Sequence, residues 1–526
     1  MAAGSGNKPR ILIFGTGSGG VNFYKSYSQR YQVLGFLDNS LQKHGQRLFG
    51  KTIHAPQSVH TLAFDKIIIA SDYYREINQQ LLDELAVDEQ RIGFSHAETP
   101  QPPSRFKQWR QHLIRLSHKR LCEKPGLGSA IFHGLFSLTH GNSAKPVLKR
   151  LPLRWLDTLH DNKVHVFRPD RPDKVQGPRV FGEQVAPVDI QLPEVALYHF
   201  KHAQACSVSR SVVLRDEQLG EQLIVERVLT ATMDNADYGN GHLLYHTDSH
   251  GLIIQHPQVR LEKGVLINGL TETNYYHWIV EILSQLQFIA ELPAHYADYP
   301  ILISGFSQKI PSIKRYLATF NIDRPLVFLD AQVSYEVGDL LFINAPNNLI
   351  ANLKNAAGNR TEDGFIRKES LDYLRSKGLP LASAIDVSTL PKRVFMARKH
   401  NLRTYNQADI FSLLGPLGFT TVYMEELDFS QQVALMANAE VVVGPTGAAW
   451  TNILFASQGT RALCWMAEEY GELSCFSNLA DKVGVDLDYI HYVAGTRDSR
   501  QLYSKEYCLD KHLVSRWARE NLPALA

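Results

Sequence analysis

The stretch EVVVGPTGAAWTNILF, residues 440–455, leads from an apolar strand-like run through a glycine–alanine turn into a helix-like segment. Four segments before it and one after it continue the alternation of strand and helix: RVFMAR (393–398), a helix from Asn406, TTVYM (420–424), SQQVALMANA (430–439) and RALCW (461–465). Strands that alternate with helices in this way are typical of a parallel sheet. The sequence therefore predicts an α/β fold around this stretch.

A second set of apolar runs lies nearer the N-terminus. Three of them have the spacing of further parallel strands: PILISG (300–305), PLVFL (325–329) and DLLFINAP (339–346). The short apolar runs from Val195 to Ile267 predict additional β-structure. We expect two Rossmann-like halves, residues 186–385 and 386–526, that face one cleft.

The first block, residues 9–98, has its own nucleotide-binding pattern. An apolar run that ends at Phe14 is followed by Gly15, Gly17 and Gly20, and a second run ends in Asp38. Glycines at a strand-to-helix turn let a phosphate approach the backbone, and an acid after the second strand suits a ribose. The pattern predicts a small Rossmann-like domain. The alternative is that the glycines only pack helix on strand.

Composition excludes several classes of protein. The apolar fraction is 44% and the charged fraction 21%, as in ordinary globular proteins rather than disordered or fibrous ones. No apolar run is long enough to span a bilayer or to form a signal-peptide core. The five cysteines are scattered and form no Cys-x-x-Cys pair, which predicts neither a disulfide framework nor a zinc site. We expect a reduced, cytoplasmic protein.

Residues 99–185 form a basic linker. Between Gln101 and Arg154 there are eleven Lys or Arg residues and one acidic residue. Within residues 104–121, Phe106, Trp109 and Leu113 recur at helical spacing among basic residues, which predicts an amphipathic helix. Such a helix either lies on an anionic membrane surface or packs its apolar stripe on the protein. In the first case the protein is peripheral at the inner face of the membrane.

A candidate base lies in NYYHWIVE, residues 274–281. His277 and Glu281 are four residues apart, which places them on one side of a helix that begins just after Asn274. One interpretation is a solvated or locally paired His–Glu couple. The other is a general base presented to a cleft, with either residue as the base and its neighbour in support. We favour His277, because the ordinary pKa of an imidazole already lies near neutrality.

Two parts of the chain resemble known families. Three motifs lie within residues 190–495: NYYHWIVE, the pattern Arg-x4-Arg-x2-Asn at 398–406, and the run from FSLLGPLGF (411–419) through residue 455. Together they resemble glycosyltransferase family 61. The resemblance implies a GT-B fold with a donor-binding C-terminal half and inverting, metal-independent transfer from a nucleotide sugar. The run ILIFGTGSGG with GFLDN (35–39) and FDKIIIAS (64–71) resembles the N-terminal domain of bacterial sugar acyltransferases, which implies a nucleotide-sugar pocket.

The residue types of the C-terminal half suit a diphosphate leaving group. Without a metal, its charge is stabilised by arginines and by backbone N–H groups at a helix start. Thr446 stands where many members of the family have a histidine, and it supplies only a hydroxyl. The predicted donor-binding residues are Asn274, Arg398, Arg403, Thr446, Gly447, Ala448 and Asn452.

The resulting prediction is a glycosyltransferase of bacterial-type capsule or O-antigen biosynthesis, with a glycan or lipid-linked acceptor. It requires no metal or other cofactor and no nucleic acid. The alternatives are an NAD-dependent nucleotide-sugar oxidoreductase, a GT-A enzyme that binds a metal through Asp486 and Asp488, and a non-catalytic scaffold. The scaffold is favoured if His277 and Glu281 prove to be buried and paired.

Overall fold

The computed structural model describes residues 8–70, 74–95, 119–122, 147–216, 218–227, 242–349, 359–399, 403–496, 502 and 505–522. The predicted amphipathic helix at 104–121 lies outside these residues, except for its last three. Within the described residues, no helix combines the length and apolar character needed to cross a membrane. The chain divides into two compact units: Met1–Gln108 with Lys399–Arg403, and Trp109–Arg398 with Thr404–Ala526.

The first unit contains a Rossmann-like sheet. Its described strands are β1 (Arg10–Phe14), β2 (Gln32–Leu37), β3 (Arg47–Leu48), β4 (Lys51–His54), β5 (Lys66–Ile69) and β6 (Ile92–Phe94), and its helices are Ser18–Tyr27 and Tyr74–Gln79. The order in the sheet is β3-β4-β2-β1-β5-β6, with only β3 antiparallel to its neighbour. The parallel strand order 4-2-1-5-6 is that of a Rossmann fold, so the predicted fold of this block is confirmed.

The apolar run of β1 is continuous because both faces of the sheet are covered. Leu12 and Phe14 are buried in one hydrophobic cluster, whereas Ile11 and Ile13 are buried in another on the opposite face. β1 therefore runs through the centre of this unit, and the glycine turn follows directly after its carboxyl end.

The second unit contains the remaining strands. They are β7 (Val147–Trp155), β8 (Lys163–Arg168), β9 (Arg171–Val175), β10 (Val188–Leu192), β11 (Val195–Ala205), β12 (Val212–Asp216), β13 (Gly220–Val225), β14 (Leu243–His246), β15 (His250–Gln255), β16 (Gln258–Ile267), β17 (Ile301–Ser304), β18 (Leu326–Leu329), β19 (Ser334–Ile343), β20 (Asn348–Leu349), β21 (Gly364–Phe365), β22 (Arg393–Met396), β23 (Thr420–Val422), β24 (Val441–Pro445), β25 (Arg461–Ala467) and β26 (Asp486–Tyr492).

The larger sheet of this unit has the order β14-β15-β7-β13-β12-β11-β19-β16-β17-β18, and β8 also pairs with β11. Its last four strands, β19-β16-β17-β18, are parallel, and β11 pairs with β19 in the antiparallel sense. The predicted parallel strands at 300–305, 325–329 and 339–346 therefore exist. The Rossmann-like prediction for residues 186–385 applies only to these four strands, because the rest of the sheet is mainly antiparallel.

The smaller sheet is entirely parallel, with the order β23-β22-β24-β25-β26. The first of these strands along the chain, β22, is second from one edge of the sheet, and the next two, β23 and β24, lie on opposite sides of it. The α-helices of the second unit with both ends among the described residues are Pro311–Ala318, Lys368–Gly378, Gln407–Leu414, Phe429–Asn438, Cys475–Val483 and Lys511–Asn521. The α/β fold predicted for residues 393–465 is confirmed.

One hydrophobic core joins the two predicted halves of the second unit. It includes Trp278 and Phe288 from residues 186–385, and Val442 and Trp465 from residues 386–526. All four are nearly inaccessible to solvent. The two halves are thus packed together within one compact unit.

Candidate functional site

The three glycines of the predicted nucleotide-binding turn have different roles. Gly15 has a φ of 118°, in the region that favours glycine, and turns the chain at the end of β1. A Cβ on Gly17 would meet no atom within 4 Å, so its backbone faces open space. A Cβ on Gly20 would lie 1.9 Å from the carbonyl oxygen of Gly15. Gly20 therefore allows close packing, while Gly17 leaves room for a ligand.

Asp38 lies at the end of β2 in a compact polar cluster. Its carboxylate accepts hydrogen bonds from the Thr16 hydroxyl, from Lys43 Nζ at 2.9 Å and from the backbone N–H of Ser40 at 2.9 Å. Partial burial acts to raise the pKa of Asp38, but these hydrogen bonds and the charge of Lys43 outweigh it, so the pKa is lowered. The carboxylate is thus ionised and partly neutralised by Lys43.

The segment that carries the predicted base is an unusual helix. His277–Ile282 has the wide π-type turn, and Leu283–Phe288 continues it as a 3₁₀ helix. All twelve residues are buried, so the predicted apolar face is one part of a fully enclosed helix. π-type turns are rare and are found frequently at functional sites.

Asn274 caps the start of this helix. Its side-chain oxygen accepts a hydrogen bond from the N–H of Tyr276 at 2.8 Å, and its carbonyl accepts from the N–H of Trp278 at 3.1 Å. The side-chain bond satisfies an N–H group that has no partner inside the helix, and the backbone bond is the first of the helical series. The structure thus gives Asn274, predicted to bind the donor, a capping role.

His277 and Glu281 are in direct contact. Nδ1 of His277 lies 2.8 Å from Oε2 of Glu281, and the backbone N–H of Leu349 donates to Oε1 of Glu281 at 2.9 Å. The exposed fractions of His277 and Glu281 are 8% and 7%. A carboxylate only accepts hydrogen bonds, so a neutral imidazole paired with it carries its proton on Nδ1 and its lone pair on Nε2. Nε2 has no hydrogen-bond partner among the described residues.

Side-chain amides hold the wide turn of this helix. Nε2 of Gln285 donates to the carbonyl of Glu281 at 2.8 Å, and Nδ2 of Asn347 donates to the carbonyl of Val280 at 2.8 Å. Asn347 and Leu349 follow β19, whose carboxyl end lies beside that of β16. Because β16 and β19 are the neighbours at which the parallel strand order reverses, this is where an α/β sheet binds ligands.

A small cavity lies behind Glu281. It is partly open, and its lining includes Arg210, Asn268, Glu281, Gln285 and Asn347. Arg210 is buried, and its guanidinium donates to the Glu226 carboxylate, to Gln285 Oε1 at 3.1 Å and to the Asn268 carbonyl at 3.2 Å. The network therefore anchors the helix of His277 to the large sheet.

A second such reversal lies in the smaller sheet, between β22 and β24. Arg398 follows β22, and its guanidinium donates to the carbonyl of Thr446, which follows β24. Gly447 and Ala448 then begin the helix Ala448–Phe455. The structure thus brings the predicted residues Arg398, Thr446, Gly447 and Ala448 together at the kind of sheet edge where α/β folds bind ligands.

Arg403 and Asn452 have other surroundings. Arg403 belongs to the first compact unit, is buried, and has a φ of 57°, which is uncommon for any residue but glycine. Asn452 is buried in the helix Ala448–Phe455. Its side-chain oxygen accepts a hydrogen bond from the Tyr275 hydroxyl at 2.9 Å, and its amide donates to Gln432 at 3.3 Å. Asn452 therefore links the two predicted halves.

The two acids of the GT-A alternative have structural partners. Arg179 Nε donates to Asp488 at 2.7 Å, and Arg179 Nη2 donates to Asp486. The indole N–H of Trp517 donates to the second oxygen of Asp488 at 2.8 Å. Both carboxylates therefore take part in packing around β26.

Sequence reasoning did not single out Leu349, Asn347 or Gln285. Leu349 acts through its backbone, which no side-chain pattern reveals. The run INAPNN at 343–348 offered a signal, because polar residues after a parallel strand mark its carboxyl end. The sequence motifs assign no role to Lys43, although its position five residues after Asp38 is compatible with an ion pair.

The comparisons with known proteins agree with the sequence motifs. Residues 275–463 match the family described as Glycosyltransferase 61, and residues 7–93 match the family described as C2185-like, N-terminal. A solved structure of UDP-D-quinovosamine 4-dehydrogenase from Vibrio fischeri is 22% identical over 16% of this chain and 75% of its own, with a TM-score of 0.14. No curated protein matches. Residues 275–463, which include His277, Glu281 and Arg398, are therefore similar to glycosyltransferase family 61, as the motifs predicted.

Proposed function

We propose that the chain is an inverting glycosyltransferase that moves a sugar from a nucleotide-sugar donor to a hydroxyl of a glycan or lipid-linked glycan. The observation that carries the proposal is the oriented His277–Glu281 pair, which lies within the segment similar to glycosyltransferase family 61. The pathway we propose is bacterial-type surface polysaccharide biosynthesis, and we propose that the reaction needs no metal.

In this proposal His277 is the general base. Its Nε2 takes the proton of the acceptor hydroxyl while that oxygen attacks the anomeric carbon. The bond from the anomeric carbon to the phosphate oxygen breaks, and the nucleoside diphosphate leaves from the opposite face. Glu281 keeps the proton on Nδ1 and stabilises the imidazolium that forms, because its carboxylate is held by His277 and by the N–H of Leu349.

The donor diphosphate would bind at the edge between β22 and β24. Arg398 supplies a positive charge next to the turn of Thr446 and Gly447. Backbone N–H groups at the start of the helix Ala448–Phe455 add partial positive charge. Both would stabilise the negative charge that develops on the leaving group. For the first unit, we propose a nucleotide or nucleotide sugar beside Gly17 and Asp38.

The second candidate is a non-catalytic scaffold that binds nucleotide sugars during glycan assembly. The burial and pairing of His277 and Glu281 are the observations that favour it. We prefer the enzyme, because a base also needs a partner that fixes its tautomer and orientation. The two candidates differ in turnover: an enzyme hydrolyses or transfers the donor sugar, and a scaffold only binds it.

The test begins with a thermal-shift screen of nucleotide sugars and free nucleotides on the full chain. Donors that stabilise the protein are then assayed for release of the nucleoside diphosphate, with and without EDTA. We expect release that EDTA does not abolish and that His277→Ala reduces strongly. Binding without release from any donor would favour the scaffold, and loss of activity in EDTA would contradict the metal-independent mechanism.

A further inference from the structure

An aromatic cluster lies beside the turn that holds Arg398. Tyr405, in the loop between β22 and the helix Gln407–Leu414, contacts the ring of Trp465 edge-on, with 5.7 Å between centroids. Tyr405 also stacks on Tyr507 at 5.2 Å. Trp465 belongs to β25, and its carbonyl accepts a hydrogen bond from the N–H of Thr446 at 2.8 Å. The cluster therefore lies at the carboxyl edge of the smaller sheet.

Two polar groups of this cluster are buried and have no hydrogen-bond partner among the described residues: the hydroxyl of Tyr405 and the indole N–H of Trp465. Three other buried tryptophans, Trp278, Trp450 and Trp517, each donate to a carbonyl or carboxylate. Buried polar groups are hydrogen-bonded in the great majority of cases. Two such groups without a partner, on rings that contact each other, therefore need an explanation.

The chemistry of the cluster suits an anion. An indole N–H only donates hydrogen bonds. Burial raises the pKa of Tyr405 well above its ordinary value, so its hydroxyl keeps its proton and can also donate. The charge of Arg398 is close enough to act on Tyr405. Donors next to a fixed positive charge match the oxygens of a phosphate group, which accept hydrogen bonds and carry negative charge.

We propose that Tyr405 and Trp465 donate hydrogen bonds to phosphate oxygens of the nucleoside diphosphate, next to Arg398. This inference rests on the proposed function, and it adds two residues to the donor site that the motifs did not single out. It also explains the aromatic stack, because Tyr507 holds the ring of Tyr405 against Trp465.

The test compares Tyr405→Phe with Tyr373→Phe on the full chain. Both variants remove one hydroxyl, and Tyr373, on the helix Lys368–Gly378, has its ring against Phe320 rather than against Trp465. The unmodified chain is first titrated in a calorimeter with nucleosides and with UDP, CDP, GDP and ADP, which identifies the nucleobase that it binds. For that base, we expect Tyr405→Phe to weaken diphosphate binding about tenfold or more, as for loss of a hydrogen bond to a charged group. Nucleoside binding and the Tyr373→Phe variant should be unchanged.

Three results would overturn the proposal. If Tyr405→Phe binds the diphosphate as tightly as the unmodified chain, Tyr405 is not a phosphate ligand, and the proposed function remains intact. An equal loss of affinity for the nucleoside would place Tyr405 at the base or ribose instead. If the unmodified chain binds none of the diphosphates, both this subsite and the proposed function are wrong. A melting temperature recorded for each variant identifies any loss of affinity caused by misfolding.

Discussion

Glu281→Gln is the substitution that tests the base assignment most directly. The carboxylate of Glu281 accepts two hydrogen bonds, one from His277 and one from the N–H of Leu349. Glutamine has nearly the same shape but only one accepting oxygen. If that oxygen faces Leu349, the amide N–H₂ faces Nδ1 of His277 and favours the tautomer with the proton on Nε2. In that tautomer, Nε2 already carries a proton and cannot take one from the hydroxyl of the sugar acceptor.

The other orientation of the glutamine amide is also unfavourable. Its oxygen then faces His277, and its N–H₂ faces the N–H of Leu349, so two donors meet at a buried position. Leaving a buried donor unsatisfied costs about 1–3 kcal/mol. Since about 1.4 kcal/mol corresponds to a tenfold change in rate, we expect kcat to fall by about one to two decades. Donor affinity should change little, because Glu281 does not contact the leaving group in the proposed mechanism.

The assay is steady-state release of nucleoside diphosphate at saturating donor and acceptor. Glu291→Gln is the matched control, since Glu291 follows the same helix but pairs with Arg168 at the surface. This control should keep the kcat of the unmodified chain. A Glu281→Gln variant with unchanged kcat would refute the tautomer argument. A variant with unchanged kcat and a raised KM would instead assign Glu281 to substrate binding.

Four further substitutions test other features of the structure. His277→Ala should lower kcat by about two to four decades in the release assay with unchanged donor affinity, and full activity would place the base elsewhere. Arg398→Ala should weaken nucleotide binding by about 1.5–3 kcal/mol in calorimetry, and equal affinity would remove it from the donor site. Glu272 is buried and accepts a hydrogen bond from Ser304, and burial raises its pKa. Its contribution to the free energy of unfolding therefore falls as the pH rises above 4.5, the pKa of this group in the unfolded chain. Glu272→Gln should therefore gain stability over the unmodified chain in urea unfolding at pH 7.5 but not at pH 4, and an equal gain at both would exclude this cause. Gly20→Ala should destabilise the first unit by about 1–3 kcal/mol in thermal unfolding, because the new Cβ meets the carbonyl of Gly15, and an unchanged melting temperature would contradict that packing.

Local features of the chain were predictable from sequence because they depend on neighbours a few residues apart. The spacing of four residues brought His277 and Glu281 together, although their helix has a wide π-type turn. Continuous apolar runs identified the parallel strands of both units, since strands covered on both faces carry few polar residues. The order of strand, glycine turn and helix correctly placed Gly15 and Gly17 in the turn after β1 and Gly20 in the first turn of the helix Ser18–Tyr27.

Contacts between distant parts of the chain required the tertiary structure. The N–H of Leu349 reaches Glu281 only because β19 pairs with β16, and periodicity does not specify which strands pair. The contact of Tyr405 with Trp465 likewise depends on the order β22-β24-β25 in the smaller sheet. Sequence alone thus identified His277, Glu281 and Arg398 as candidates, but not Leu349, Tyr405 or Trp465. The pairing of strands decided their partners, because hydrogen bonds and burial at a sheet edge come from segments that only the fold brings together.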